Sequence, residues 1–110
     1  MTKIKYYESI RNPKTGELDH FEQFEGYLEK FYDVETDMQI NVVFRKDDEL
    51  LWKATHLESG VLIVSGFTSR KECVDKMIIL TNKVAKLFKE QNKFWVAIQR
   101  RLDDYRNERS

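Results

Sequence analysis

The side chains best suited to nucleophilic or proton-transfer chemistry are few: one cysteine, Cys73, and two histidines, His20 and His56. Cys73 falls in the first turn of a predicted helix, where the helix dipole lowers a thiol pKa and favours the thiolate. A nucleophile also needs a base, and no Cys/His spacing in this chain supplies one. Cys73 is therefore expected to be a small buried residue beside the Val74 seam. His56, near the end of a predicted strand, points to the core by parity and reads as a structural histidine. His20, His56 and Cys73 are too scattered for a zinc site, and Asp47-Asp48 lacks the ligand ladder of a calcium loop. The glycines stand singly at 16, 26, 60 and 66, so no phosphate-cradling loop is formed. The many carboxylates read as solvated surface. A protein without catalytic residues, metal, cofactor or small-molecule substrate is expected, one that works by binding.

The elements that would present a binding surface follow from periodicity. Residues 1 to 18 hold IKYYESI, which reads as a strand in preference to a helical turn, and NPKTGE, whose Pro13 and Gly16 mark a turn. From Asp19 onward Phe21, Phe24, Leu28 and Phe31 recur at helical spacing behind an Asp19 to Glu22 capping box, predicting a helix over about 20 to 33. On that wheel Gly26 faces solvent. Residues 39 to 67 switch to strand logic in QINVVFRK, ELLWKATH and VLIVSGF, separated by the turn signals DD and ESG. One face carries Ile40, Val42, Phe44, Leu50, Trp52, Ala54, Val61, Ile63 and Phe67 as core; the other carries Asn41, Val43, Arg45, Leu51, Lys53, Thr55, Leu62 and Val64. That second face mixes polar with apolar side chains, so part of it is expected to be covered.

From Ser69 to about Arg106 the chain reads as one helix, opened by a Ser69 to Glu72 capping box. Its seam runs Val74, Met77, Thr81, Val84, Phe88, Gln91, Trp95, Ile98, Leu102 and Tyr105, with Glu90 to Lys93 as the place for a bend. Unbroken, it would be roughly 55 Å long, while strands of six residues span only about 20 Å. Trp95, Ile98, Leu102 and Tyr105 are thus expected to pair with a second copy or another protein, most simply as a homodimer.

The fold class expected is α+β: a three-stranded antiparallel sheet, with IKYYESI as an extra N-terminal strand, packed on one short and one long C-terminal helix. At 110 residues and 41% apolar content the chain makes a single domain, 1–110. A single cysteine, and an N-terminus without the apolar core of a signal peptide, point to the cytoplasm. The longest apolar runs, VLIV and MIIL, are far shorter than the roughly 20 residues that span a bilayer. Net charge is zero but polarised: residues 1–67 carry minus five and 68–110 plus five. Lys86, Lys93 and Arg100, joined by Lys83, Lys89 and Arg101, make a basic stripe along the predicted long helix, suited to phosphates or to the acidic half of the chain.

The run LLWKATHLESGVLIVSGFTSRKECVDK, a tryptophan-bearing strand, a turn, a strand ending in Gly-Phe and a capped helix start, resembles the arm-type DNA-binding domain of tyrosine recombinases over residues 39 to about 85. The resemblance implies a sheet laid in the major groove, with Asn41, Arg45, Lys53 and Thr55 facing bases and Arg70 and Lys71 near phosphates. The chain departs from that family in its much longer helix and in lacking the catalytic domain. Leu51, Leu62 and Val64 on the same face suit a protein contact better than a groove. The functional expectation is a small non-enzymatic accessory protein of bacterial or phage type. It binds a protein through its sheet face and long helix, with DNA binding for a mobile element, or inhibition of a nuclease or defence enzyme, as alternatives.

Overall fold

The computed structural model describes residues 2–109. The chain is α+β, with an antiparallel five-stranded meander in the order β1-β2-β3-β4-β5 followed by two helices. The strands are β1 (Thr2–Arg11), β2 (Leu18–Asp33), β3 (Met38–Lys46), β4 (Trp52–His56) and β5 (Leu62–Phe67); the helices are α1 (Arg70–Glu90) and α2 (Asn92–Arg109). Among the described residues no helix is long and apolar enough to cross a membrane.

The helix expected over 20 to 33 is a strand. Its residues pair with β1 through Phe21↔Ser9 and Phe24↔Tyr6, then with β3 through Leu28↔Val43 and Phe31↔Ile40. Phe21 and Phe31 lie on one face of β2 and Phe24 and Leu28 on the other, so apolar side chains drawn from two faces imitate helical spacing. The Asp19 to Glu22 pair caps nothing; it brackets the exposed ring of His20, at 2.8 and 2.9 Å. Gly26 is buried at the point where β2 passes from β1 to β3, not solvent-facing. A Cβ there would stand 2.7 Å from the Phe44 carbonyl oxygen and 2.7 Å from Val43 Cγ1. Glycine is what lets β2 curl at this point.

That curl rolls the sheet. At the far end of β1, Ser9 donates its N–H to the Gly60 carbonyl (2.7 Å) and its hydroxyl to the Ser59 carbonyl (2.6 Å), so the first strand meets the β4–β5 turn. Gly60 sits there with φ 71°, and a Cβ would be 2.7 Å from the Tyr7 carbonyl. Val43 and Thr55 on the inner face are consequently buried, and the cover foreseen for that face is β1 itself.

The outer face carries the main core, in which Ile40, Val42, Phe44 and Ala54 meet Cys73, Met77, Val84, Ala85 and Phe88 of α1. One member of the expected core face leaves it, and one residue of the second face joins it. Leu50 is 70% exposed in the left-handed region (φ 63°), because Asp47 closes the β3–β4 turn by accepting the N–H groups of Glu49 and Leu51. Val64 faces the core instead of the second face, because β4 pairs Thr55 with Leu62 but Ala54 with Val64, a bulge that reverses parity.

The long helix breaks at Gln91 (φ −108°, ψ 36°), within the polar segment marked for a bend. After the break α2 turns back along the chain's own sheet. Trp95, Ile98 and Leu102 are buried there, and the Tyr105 ring lies 5.4 Å from both Tyr7 and Phe21. Within the chain Trp95 packs on His56 and Phe88, Tyr105 packs on Tyr7 and Phe21, and Ile98 and Leu102 are buried, so a homodimer no longer follows from these side chains.

Candidate functional site

Inside the roll the inner face of β1, β3 and β4 gathers an ionic cluster. Glu8 on β1 is 3% exposed and accepts from Arg45 Nε (2.6 Å) and Nη2 (3.0 Å), from the Tyr6 hydroxyl and, as an ion pair at 3.2 Å, from Lys53 Nζ. Register explains the meeting: Arg45 pairs with Lys53 across β3 and β4, and the curl of β2 swings β1 over both. Burial alone would push the Glu8 carboxyl up, but hydrogen bonds from Arg45 and Tyr6, with the Lys53 charge, hold it below the ordinary range. Burial, reinforced by the Glu8 carboxylate, drives the Tyr6 hydroxyl far above its usual pKa, so it stays protonated as a donor. The Arg45 guanidinium lies over the Phe24 ring, 3.8 Å from its centroid.

The positions expected to face bases are therefore not a free reading surface. Arg45 and Lys53 turn inward to Glu8, with only 13% and 19% of their side chains exposed, and Thr55 is 1% exposed. Asn41 hydrogen-bonds Glu58 (2.5 Å) and accepts from Gln39 (2.9 Å). Arg70 stacks over Tyr27 at 5.1 Å, and exposed Lys71 pairs with Asp75 at 2.8 Å. The basic stripe is divided by the break at Gln91, and Lys86 within it pairs with Glu35 at 3.3 Å.

A second cluster was not legible in the sequence. His56 Nδ1 is 2.7 Å from the Ser59 hydroxyl, and its Nε2 lies 3.1 Å from Glu58 Oε2. Hydroxyl, imidazole and carboxylate in this order invite a nucleophile reading, and the HLES run is its only sequence signal. Ser59 is 0% exposed and its oxygen already accepts the Val61 N–H, so the group closes the β4–β5 turn. The His56 ring packs 4.4 Å from Phe88 and 5.8 Å from Trp95, which makes it a core residue, as parity required. Cys73 is fully buried, and burial pushes its thiol up to about 11, opposite to what a reactive cysteine needs.

What remains open to a partner is the border between β5 and α1. Beside the unpaired edge of β5 runs an apolar groove of about 250 Å³, walled by Leu62 and Ile63 on one side, Leu80, Val84 and Leu87 on the other, and Trp95 at its end. Leu62 is 47% exposed and Leu87 40%, and Ile79 on the outer side of α1 is 74% exposed. Lys83 is the only charged residue among those that line the groove, and it has no carboxylate partner among the described residues. Of the residues expected to contact protein, Leu62 lies in this groove, Val64 packs into the core, and half-buried Leu51 closes the β3–β4 turn.

Comparison with known protein families, with curated proteins and with solved structures finds no match to this chain.

Proposed function

We propose that the chain is a non-enzymatic protein-binding module that receives an extended acidic and apolar segment of a partner protein along the free edge of β5. The observation that carries this reading is the coincidence of an unpaired strand edge with an apolar groove whose only charge is Lys83. The edge offers backbone donors and acceptors for an added strand, the groove takes alternate side chains, and the lysine favours acidic neighbours. Solvent-exposed Leu62 and Leu87 give the segment apolar contact at the rim, where water is displaced on binding. Inhibition of a nuclease or defence enzyme would be one use of such a contact.

Fluorescence anisotropy with labelled peptides of alternating apolar and acidic residues tests the proposal, with an apolar and basic series as control. Saturable binding of the acidic series, weakened about tenfold or more in Leu87→Asp, is the expected result. Failure of every peptide, with salt-sensitive binding of a DNA duplex in its place, would replace this reading with the nucleic-acid alternative.

A further inference from the structure

We infer that the cleft between the end of β1 and the β4–β5 turn binds a small aliphatic carboxylate, its head at Lys53 and Thr55 and its tail along Ile10, Val61 and Leu62. This site lies on the inner face of the roll and shares only Leu62 with the groove proposed for the partner segment, so it stands apart from the protein-binding reading.

The cleft measures about 310 Å³ and draws its walls from β1, β4 and the start of β5. Ligand sites run from about 300 to 1,000 Å³ and favour the mouths of rolled sheets, so this volume suits a ligand at the small end. Charge sets the sign. Arg45 engages both oxygens of Glu8, at 2.6 and 3.0 Å, and that pair is neutral by itself. Lys53 is then a surplus cation with 19% of its side chain exposed, 3.2 Å from a carboxylate already satisfied by Arg45 and Tyr6. An ammonium so far withdrawn from water is stabilised by an additional anion. Arg11 also borders the cleft, but its guanidinium is engaged elsewhere, with the Gly16 carbonyl (2.9 Å) and over the Phe94 ring (5.8 Å), so Lys53 is the cation that faces the head group.

Thr55 supplies the independent mark of a ligand. It lines the same cleft, it is 1% exposed, and its hydroxyl has no hydrogen-bond partner among the described residues. Buried hydroxyls are rarely left so, because an unmade bond costs about 1–3 kcal/mol. An acceptor oxygen placed between Thr55 Oγ1 and Lys53 Nζ would satisfy both. The neighbouring Ser9 hydroxyl is already committed to the Ser59 carbonyl, so the polar end has room for one small head group. Glu8 also lines the cleft, its charge taken up by Arg45, and beyond it and Gly60 the wall of Ile10, Val61 and Leu62 is aliphatic, which favours a monoanion with a hydrocarbon tail over a dianion such as phosphate.

Isothermal titration calorimetry of the full chain with octanoate, octan-1-ol and octylamine tests the site, using the wild type, Lys53→Met and Thr55→Val. Lys53→Met keeps the neutral Glu8–Arg45 pair, and Thr55→Val removes a hydroxyl that is unpaired, so both are expected to fold, as checked by thermal midpoint. Octanoate is expected to bind at one site, about tenfold or more weaker in Lys53→Met and about fivefold weaker in Thr55→Val, from the loss of an ion pair and of a hydrogen bond from a neutral hydroxyl to the carboxylate respectively. Octan-1-ol binding as tightly as octanoate, octanoate binding unchanged in Lys53→Met, or no saturable binding of octanoate would each overturn the assignment.

Discussion

Glu8 and Arg45 stand 37 residues apart in sequence and meet through two hydrogen bonds of 2.6 and 3.0 Å inside the rolled sheet. Neither bond is local to a strand pair; both exist only because β2 curls far enough to bring β1 over β3 and β4. Replacing Glu8 by glutamine leaves Arg45 and Lys53 as neighbouring cations with no carboxylate between them. Urea unfolding of Glu8→Gln should show a loss of about 3–5 kcal/mol, the cost of orphaning a buried charge.

The same carboxyl makes stability depend on pH. Its pKa is lowered on folding, so its contribution is complete above the ordinary value of 4.5 and declines as pH falls below it towards the folded value. Glu58 is shifted the same way: His56 and Asn41 outweigh its burial. Thermal midpoints of the wild type should drop on acidification below that value, and the drop should be shallower in Glu8→Gln, whose side chain does not titrate.

Gly26→Ala tests the curl directly. The added methyl would meet a backbone oxygen at 2.7 Å, which no side-chain rotation relieves. Overpacking of this kind costs about 1–3 kcal/mol, to be read as a lower urea midpoint with β content retained by circular dichroism. A neutral result would mean that β2 passes from β1 to β3 with room to spare.

Ser69 accepts the Glu72 N–H at 3.2 Å as the cap of α1, while the Glu72 carboxylate turns to the Thr68 hydroxyl at 3.1 Å. Only half of the expected capping box is therefore formed. Ser69→Ala is expected to destabilise the protein by about 1 kcal/mol in equilibrium unfolding.

Cys73 offers a probe that needs no mutation. Fully buried, with its thiol pushed up to about 11, it should resist iodoacetamide at pH 8 in the native protein and react readily in urea. Rapid native labelling would show that the N-terminal turn of α1 opens.

The local signals in the sequence determined much of this protein. Alternation in QINVVFRK and its neighbours placed β3, β4 and β5; Gly66, at φ 87°, and Ser69 built the corner that opens α1; and the polar run from Glu90 to Lys93 marked where the helix breaks. Each depends on residues a few positions apart, the range over which propensity and capping act. The tertiary structure decided the rest. Phe21 to Phe31 has a periodicity that either a helix or a two-sided strand satisfies, and pairing with β1 and β3 selected the strand. Gly26, whose place in a helix would have been incidental, then became the bend that rolls the sheet. That roll turned Arg45, Lys53 and Thr55 from a surface into an interior and gave the Trp95 to Tyr105 face a partner within the chain. The physical reason is that burial of a two-faced strand is a non-local quantity, fixed only when distant segments meet.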